Sequence, residues 1–361
     1  MRRYSYLIWF FVAFFSSVAP FSLAATDRLD LPAIQQKSPE SMLLLSVARA
    51  GDRLVAVGEH GVIILSDDGG ITWRQAQVPS SSMLTAVHFF DNQTGWSVGH
   101  DGLILKTQDG GESWSRLQDG NTLNALRVAA VEQEFSRLRA TEDVDPDLLE
   151  ELEYKLDDAN MALEEGASTP LLDVYFLDEI AGFAVGAYGQ AYETRDGGAS
   201  WQYIGHTLPN PDGLHFNAVF KTAKGDIYLL GEAGLVLKSD DGGEDWKVED
   251  IPYDGSLFAA VESDALYLMG LRGHVFRLSD TGLWQAQVLS SNATINDAVV
   301  VHGKAVLVGQ GGALIKQEGN GFQPMASQGL RSFASVVQHG DKLIVVGESG
   351  VKRIEFEGDH E

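Results

Sequence analysis

The sequence predicts an all-β fold: a seven-bladed β-propeller with a helical hairpin inserted between blades 2 and 3. Three observations predict it. A G-x-x-G element recurs seven times, an S/T-x-D-x-G-x-x-W motif recurs four times, and one long interval in an otherwise even series has helical patterning. Glycine, at 39 of 361 residues, exceeds the usual share of about 7%, as a chain built on many tight turns requires.

The G-x-x-G elements are Gly58–Gly61, Gly99–Gly102, Gly186–Gly189, Gly231–Gly234, Gly270–Gly273, Gly309–Gly312 and Gly347–Gly350. Their first glycines are spaced by 41, 87, 45, 39, 39 and 38 residues, so one interval holds a period plus an insertion. An apolar strand precedes each element and another follows it, as in Val62-Ile63-Ile64-Leu65. Further upstream lies an apolar-small-apolar stretch such as Leu44-Leu45-Ser46-Val47, Leu84-Thr85-Ala86-Val87 or Phe333-Ala334-Ser335-Val336. Four short strands in a period of about 40 residues make a propeller blade.

After the third strand of four copies comes the tryptophan motif. It comprises Ser66, Asp68, Gly70 and Trp73; Thr107, Asp109, Gly111 and Trp114; Thr194, Asp196, Gly198 and Trp201; and Ser239, Asp241, Gly243 and Trp246. An aspartate here can accept hydrogen bonds from turn amides, the glycines permit left-handed backbone, and the tryptophan can pack between blades. A remnant, Ser279 to Trp284, stands in the fifth copy, and copies six and seven lack the motif. These are Asp boxes, or BNR repeats, expected to be structural. With V-G-x-x-G between them, the chain resembles the exported bacterial branch of the photosystem II assembly/stability factor family over nearly all of residues 40–357. The resemblance implies a chaperone-like or scaffolding role with membrane-protein partners. Plant and cyanobacterial members present an arginine-rich patch, whereas the 15 arginines of this chain form no cluster among the blades.

Residues 1–24 read as a signal peptide, with Arg2 and Arg3, the nine-residue apolar run Leu7–Phe15, and Ser22-Leu23-Ala24 as the cleavage site. The run is shorter than the ~20 residues of a spanning helix. An exported protein, periplasmic or extracellular, is therefore expected, with residues 25–361 forming one propeller domain, no transmembrane span and a monomeric state. The net charge is −25, and removal of two arginines with the signal makes it −27. That field excludes nucleic acid and acidic lipid as partners unless a basic patch defies it, and the bases are scattered.

The insertion, residues 121–169, carries 13 acidic and four basic residues. Val128, Val131, Phe135 and Leu138, then Leu149, Leu152, Leu156, Ala159 and Leu163, recur at helical spacing, and Asp145-Pro146 fits a helix N-cap followed by proline. Two readings stand: a surface decoration whose stripes pack on each other, or a docking arm. Either would let the segment be deleted without unfolding the blades. Blade 7 stops after its third strand, and residues Leu29 to Gln36 are expected to supply its fourth, although Pro32 would remove one amide.

No catalytic residue, cofactor or metal is assigned. Sialidases share Asp boxes, but their Arg-Ile-Pro signature is absent and no arginine triad can be assembled. The candidate partner face is the ring of G-x-x-G turns, bearing Glu59, His60, His100, Asp101, Tyr188, Glu232, Arg272, Gln310 and Glu348. Its histidines, with carboxylates beside them, fit solvated turns better than a metal site, because ligands must converge within about 2.0–2.3 Å of one ion. Asp173 and Asp297 fall where they would face the central channel. The expected function is an exported, non-enzymatic scaffold or assembly factor for a membrane or envelope protein complex. The alternatives are a BNR-type glycan-binding or glycoside-hydrolysing propeller and an accessory subunit of an envelope exporter.

Overall fold

Each sequence period folds into one antiparallel meander, and seven such sheets make up the propeller. The computed structural model describes residues 27–319, 321–325, 329 and 331–356. Residues 1–24, expected from the sequence to be a signal peptide, lie outside the described residues. Six blades have four strands and the seventh has three among the described residues. The second strand of every blade is buried almost throughout, as Leu54–Gly58 and Gly182–Gly186 illustrate, because neighbouring blades cover both of its faces.

The first glycine of each G-x-x-G element is a steric requirement. A Cβ on Gly58 would sit 2.1 Å from the Leu43 carbonyl oxygen, and one on Gly99 would sit 2.1 Å from that of Met83. The same approach lets the following amide bond the same carbonyl: Glu59 N donates to Leu43 O at 3.1 Å and His100 N to Met83 O at 2.8 Å. Each innermost strand also slips register at its second residue, for example between Leu44 and Ser46 or Ile295 and Asp297. Such bulges re-aim side chains. Here they turn polar groups toward the next blade. Thr85 Oγ1 donates to Leu171 O (2.8 Å), Asn217 Nδ2 to Leu257 O (2.9 Å) and Asn296 Nδ2 to Phe333 O (2.7 Å). One position on, Val87 N donates to Ser46 Oγ and Val47 N to Ser335 Oγ, both at 3.3 Å, while Asp173 and Asp297 accept from Val219 and Val336. A collar of hydrogen bonds thus stitches most blade junctions around the channel.

Outside the collar, aromatic wedges fill the junctions. Trp114 packs with Val55 and Leu65 of blade 1. Trp246 meets Phe183 of blade 3 edge-on at 5.8 Å, and Trp284 meets Tyr228 of blade 4 at 6.4 Å. Where the motif has eroded, Phe322 takes the same place against Tyr267 at 5.4 Å.

The N-terminal segment corrects the expected closure. Residues 29–36 do not complete blade 7. They lie against the outer edge of blade 1 and its junction with blade 2: Ala33 N bonds Val78 O (3.1 Å), Ser81 N bonds Arg28 O (3.0 Å), and Leu29 is buried in the blade 1–2 core. Asp27 caps a single turn of 3-10 helix there, and with Pro32 the segment lacks an uninterrupted row of donors for a ladder. Blade 7 is joined to blade 1 through the Ser335–Val47 bond and an apolar cluster containing Leu44, Ile64 and Val346. The turn Pro39–Ser41 covers Gly350, whose missing side chain admits the Glu40 carbonyl.

The insertion forms two antiparallel helices, α1 (Gly120–Arg139) and α2 (Pro146–Glu165). Asp119 caps α1 by accepting from Asn121 and Thr122 amides, and Asp145 caps α2 by accepting from Asp147 N, with proline in the first turn as expected. The helices do more than pack on each other. Leu123, Val131 and Leu152 are buried in one cluster with Trp96, Tyr192, Trp201 and Tyr203 of blades 2 and 3. The reading of a separable decoration is therefore corrected: the apolar stripes are part of the propeller core.

Candidate partner face

In a four-stranded meander, the turn between strands 2 and 3 and the link from strand 4 to the next blade leave on the same side. The G-x-x-G turns and the helical hairpin consequently share one face, and the Asp boxes, at the strand 3–4 turns, lie on the other. In six G-x-x-G turns the third residue holds left-handed backbone: His60, Asp101, Tyr188, Ala233 and Arg272 have φ between 50° and 60°, and Gly311 has φ 64°.

The structure sorts the sequence-selected residues into committed and available groups. Glu59 accepts from Leu43 N and Glu232 from His215 N, both at 3.0 Å, so these carboxylates brace their own blades. Asp101 is buried, receiving Ser82 Oγ at 2.6 Å and Arg28 Nη2 at 3.1 Å; the N-terminal segment covers it, and it departs from the expected exposed position. Tyr188, Arg272 and Gln310 are exposed, as is the His60 side chain, while Glu348 stands 3.8 Å from Arg331. Among the described residues no cluster of three or more His, Asp or Glu side chains is placed to share a metal ion. Cavities open on this face at several places: about 660 Å³ between α2 and blade 3, about 440 Å³ between the helical hairpin and the 206–211 link, about 870 Å³ at blades 4 and 5, and about 290 Å³ at blade 6.

The Asp boxes turn their polar groups inward on themselves. Asp68 accepts from Ser66 Oγ (2.8 Å), Thr72 N (2.9 Å) and Thr72 Oγ1 (2.6 Å), and Trp73 Nε1 donates to Gly70 O. The Thr72 hydroxyl and amide hold the Asp68 carboxyl well below the usual range. Asp196 is lowered chiefly by the Ser200 hydroxyl and Asp241 by the Asp245 amide. Asp109 is lowered against the opposing effect of burial, by the Ser113 hydroxyl and amide.

The channel reverses that logic. Asp173 accepts from Val174 N and Val219 N at 2.8 Å, yet burial outweighs both bonds and pushes its pKa up to about 7, with Asp297 adding repulsion. Burial raises Asp297 as well. A carboxyl whose folded pKa lies above its unfolded value of about 3.9 contributes stability that is complete below pH ~4 and is lost as pH rises through the folded value. Asp173→Asn cannot titrate. The stability advantage of the wild type over this variant should shrink between pH 4 and pH 7 and stay constant above it; thermal melts across that range check this, and a constant gap would refute it.

Sequence reasoning missed the collar, the Phe322 wedge and the groove beside α2. The collar had a visible signal, because Thr85, Asn217 and Asn296 occupy one position of the repeat. The groove is formed by segments far apart in the chain and had none.

The blades, boxes and G-x-x-G ring define a seven-bladed propeller of the Asp-box class. The model of the Photosynthesis system II assembly factor YCF48 family matches residues 36–140 and 156–329, and the chain belongs to that family. The unmatched stretch, 141–155, falls at the tip of the hairpin and the first half of α2. The chain is 31% identical over 135 residues to the Photosystem II assembly lipoprotein Ycf48 of Synechococcus sp. (strain CC9902), covering 35% of this chain and 39% of that protein. It is 29% identical over 140 residues to the chloroplastic Photosystem II stability/assembly factor HCF136 of Arabidopsis thaliana, covering 36% and 34%. These alignments thus span well under half the length of either relative. Among solved structures, YCF48 bound to a D1 peptide superposes with a TM-score of 0.60 at 18% identity, covering 90% of this chain and 96% of that one. YCF48 from Cyanidioschyzon merolae gives 0.61 at 16%, covering 90% and 98%. At such identity these superpositions establish the fold. No helix among the described residues is long and apolar enough to cross a membrane.

Proposed function

We propose that this protein is an exported, non-enzymatic scaffold that assists assembly or stability of a membrane or envelope protein complex, meeting its partner with the G-x-x-G face. One observation carries the reading: within a family of assembly factors, the two faces of this propeller differ in what they leave unused. On the Asp-box side, carboxylates, hydroxyls and indole N–H groups are largely consumed within the turns. On the other side lie the large cavities and exposed tyrosines. A relative solved with a D1 peptide supports a protein segment as the kind of ligand. The Asp boxes are then structural, no cofactor is required, and the export signal occupies residues 1–24. Photo-crosslinking from each face, set out at the end of the Discussion, tests the reading.

A further inference from the structure

We infer that the groove between α2 and the rim of blade 3 holds an extended peptide segment of the partner protein in which a lysine or arginine adjoins an aromatic or large apolar residue. This rests on the reading above and deepens it. The cavity, about 660 Å³, lies within the ~300–1,000 Å³ range of ligand sites. Tyr154, Asp158, Met161 and Glu165 of α2 form one wall, and Tyr188 and Asp212 stand on the other.

The first argument is charge. Both cations of the groove are already committed: Arg127 pairs with Asp158 and lies 5.9 Å from the Tyr203 ring centroid, and Lys155 pairs with Glu151 at 2.7 Å. Glu165 and Asp212 have no ion pair among the described residues and are exposed. Glu164 and Glu165 also occupy the last turn of α2, which contains no base, so they add to the negative pole of the helix. That is the wrong sign for helix stability. Local rules broken without a local gain are expected at functional sites. A cation arriving from outside would supply the missing complement.

The second argument is apolar and independent of charge. Tyr154, Met161 and Tyr188 are 74%, 55% and 63% exposed, three large side chains around a single groove. Aromatic faces beside free carboxylates suit an ammonium or guanidinium with an apolar neighbour. A bare polyamine would leave these three unused, and an acidic membrane surface would be repelled. The rim is also set in advance. Buried Asn210 donates to Leu214 O (2.8 Å) and accepts from Leu214 N (2.9 Å), closing the 210–214 turn that carries Asp212, which lowers the ordering cost of binding.

The test is selection of phage-displayed random peptides on the full-length chain, followed by fluorescence anisotropy with a labelled synthetic copy of the enriched sequence. The enriched peptides should pair Lys or Arg with Phe, Tyr, Trp or Leu. Affinity at low salt should fall about tenfold or more in the double variant Glu165→Lys/Asp212→Lys, and also in Tyr188→Ala. Because these positions are exposed, the melting temperature should not fall below the wild-type value, and in the double variant the cation placed at the negative pole of α2 should raise it slightly. No enrichment, peptides without basic residues, or unchanged binding by the double variant would overturn the inference. So would displacement by spermine together with equal binding of a peptide stripped of its aromatic residue, which marks a small-cation site. If the groove variants change nothing while the G-x-x-G face still crosslinks to a membrane protein, the groove fails and the functional reading stands; loss of those crosslinks sinks the functional reading.

Discussion

Trp114→Ala should destabilise the protein by about 3–5 kcal/mol, the usual cost of truncating a large buried aromatic. Trp114 is 6% exposed, donates from Nε1 to the Gly111 carbonyl at 3.0 Å, and meets Phe89 edge-on with centroids 6.0 Å apart. It wedges blade 2 against Val55 and Leu65 of blade 1, so its removal opens a cavity at a junction between two sheets that cannot collapse freely. Calorimetry should give a lower melting temperature, while crosslinking per folded molecule from the opposite face stays unchanged. Trp114→Phe should cost less, because it keeps most of the wedge and loses the indole bond. A wild-type melting temperature in the alanine variant would contradict the wedge role.

Replacing residues 121–169 with a short glycine linker should cost still more, and the protein should not remain natively packed. Leu123, Val131 and Leu152 are 1%, 1% and 3% exposed, and each buried side chain of this size is worth about 1.5–3 kcal/mol. Their loss also uncovers Tyr192 and Tyr203, fully or almost fully buried beneath α1. The Tyr192 hydroxyl also loses its acceptor, the Leu123 carbonyl at 3.4 Å. The milder Leu123→Ala should cost about 2–5 kcal/mol on its own. Urea unfolding of both variants checks this. A deletion protein with the midpoint and cooperativity of the wild type would restore the separable-arm reading.

The blades were legible because each period repeats the same physical constraint. A carbonyl must approach the first glycine of every G-x-x-G turn, so no other residue serves at Gly58 or Gly99. The Asp boxes were legible because their hydrogen bonds close within seven or eight residues. The helix ends at Asp145 and Pro146 obey local capping chemistry. What stayed hidden depends on distance in the chain. Nothing local tells that Val131 faces Trp201 of the next blade, or that Leu29 fills a slot between blades 1 and 2. Asp101 looked like an exposed turn residue until Arg28, 73 residues earlier, came to lie over it. The groove beside α2 belongs to the same class, since Glu165 and Asp212 meet across a gap that only the folded chain creates.

The central claim is that one face of the propeller meets a membrane protein. Its most direct test is in vivo photo-crosslinking of the full-length chain from single benzoylphenylalanine substitutions. His60 and Arg272 represent the G-x-x-G face, where Tyr188 already places an aromatic in the same left-handed position. Ile71 and Leu283, 63% and 65% exposed, represent the Asp-box face. The account predicts adducts with a membrane protein from His60 and Arg272, and none from Ile71 or Leu283. Equal adducts from both faces, or adducts confined to Ile71 and Leu283, would contradict it.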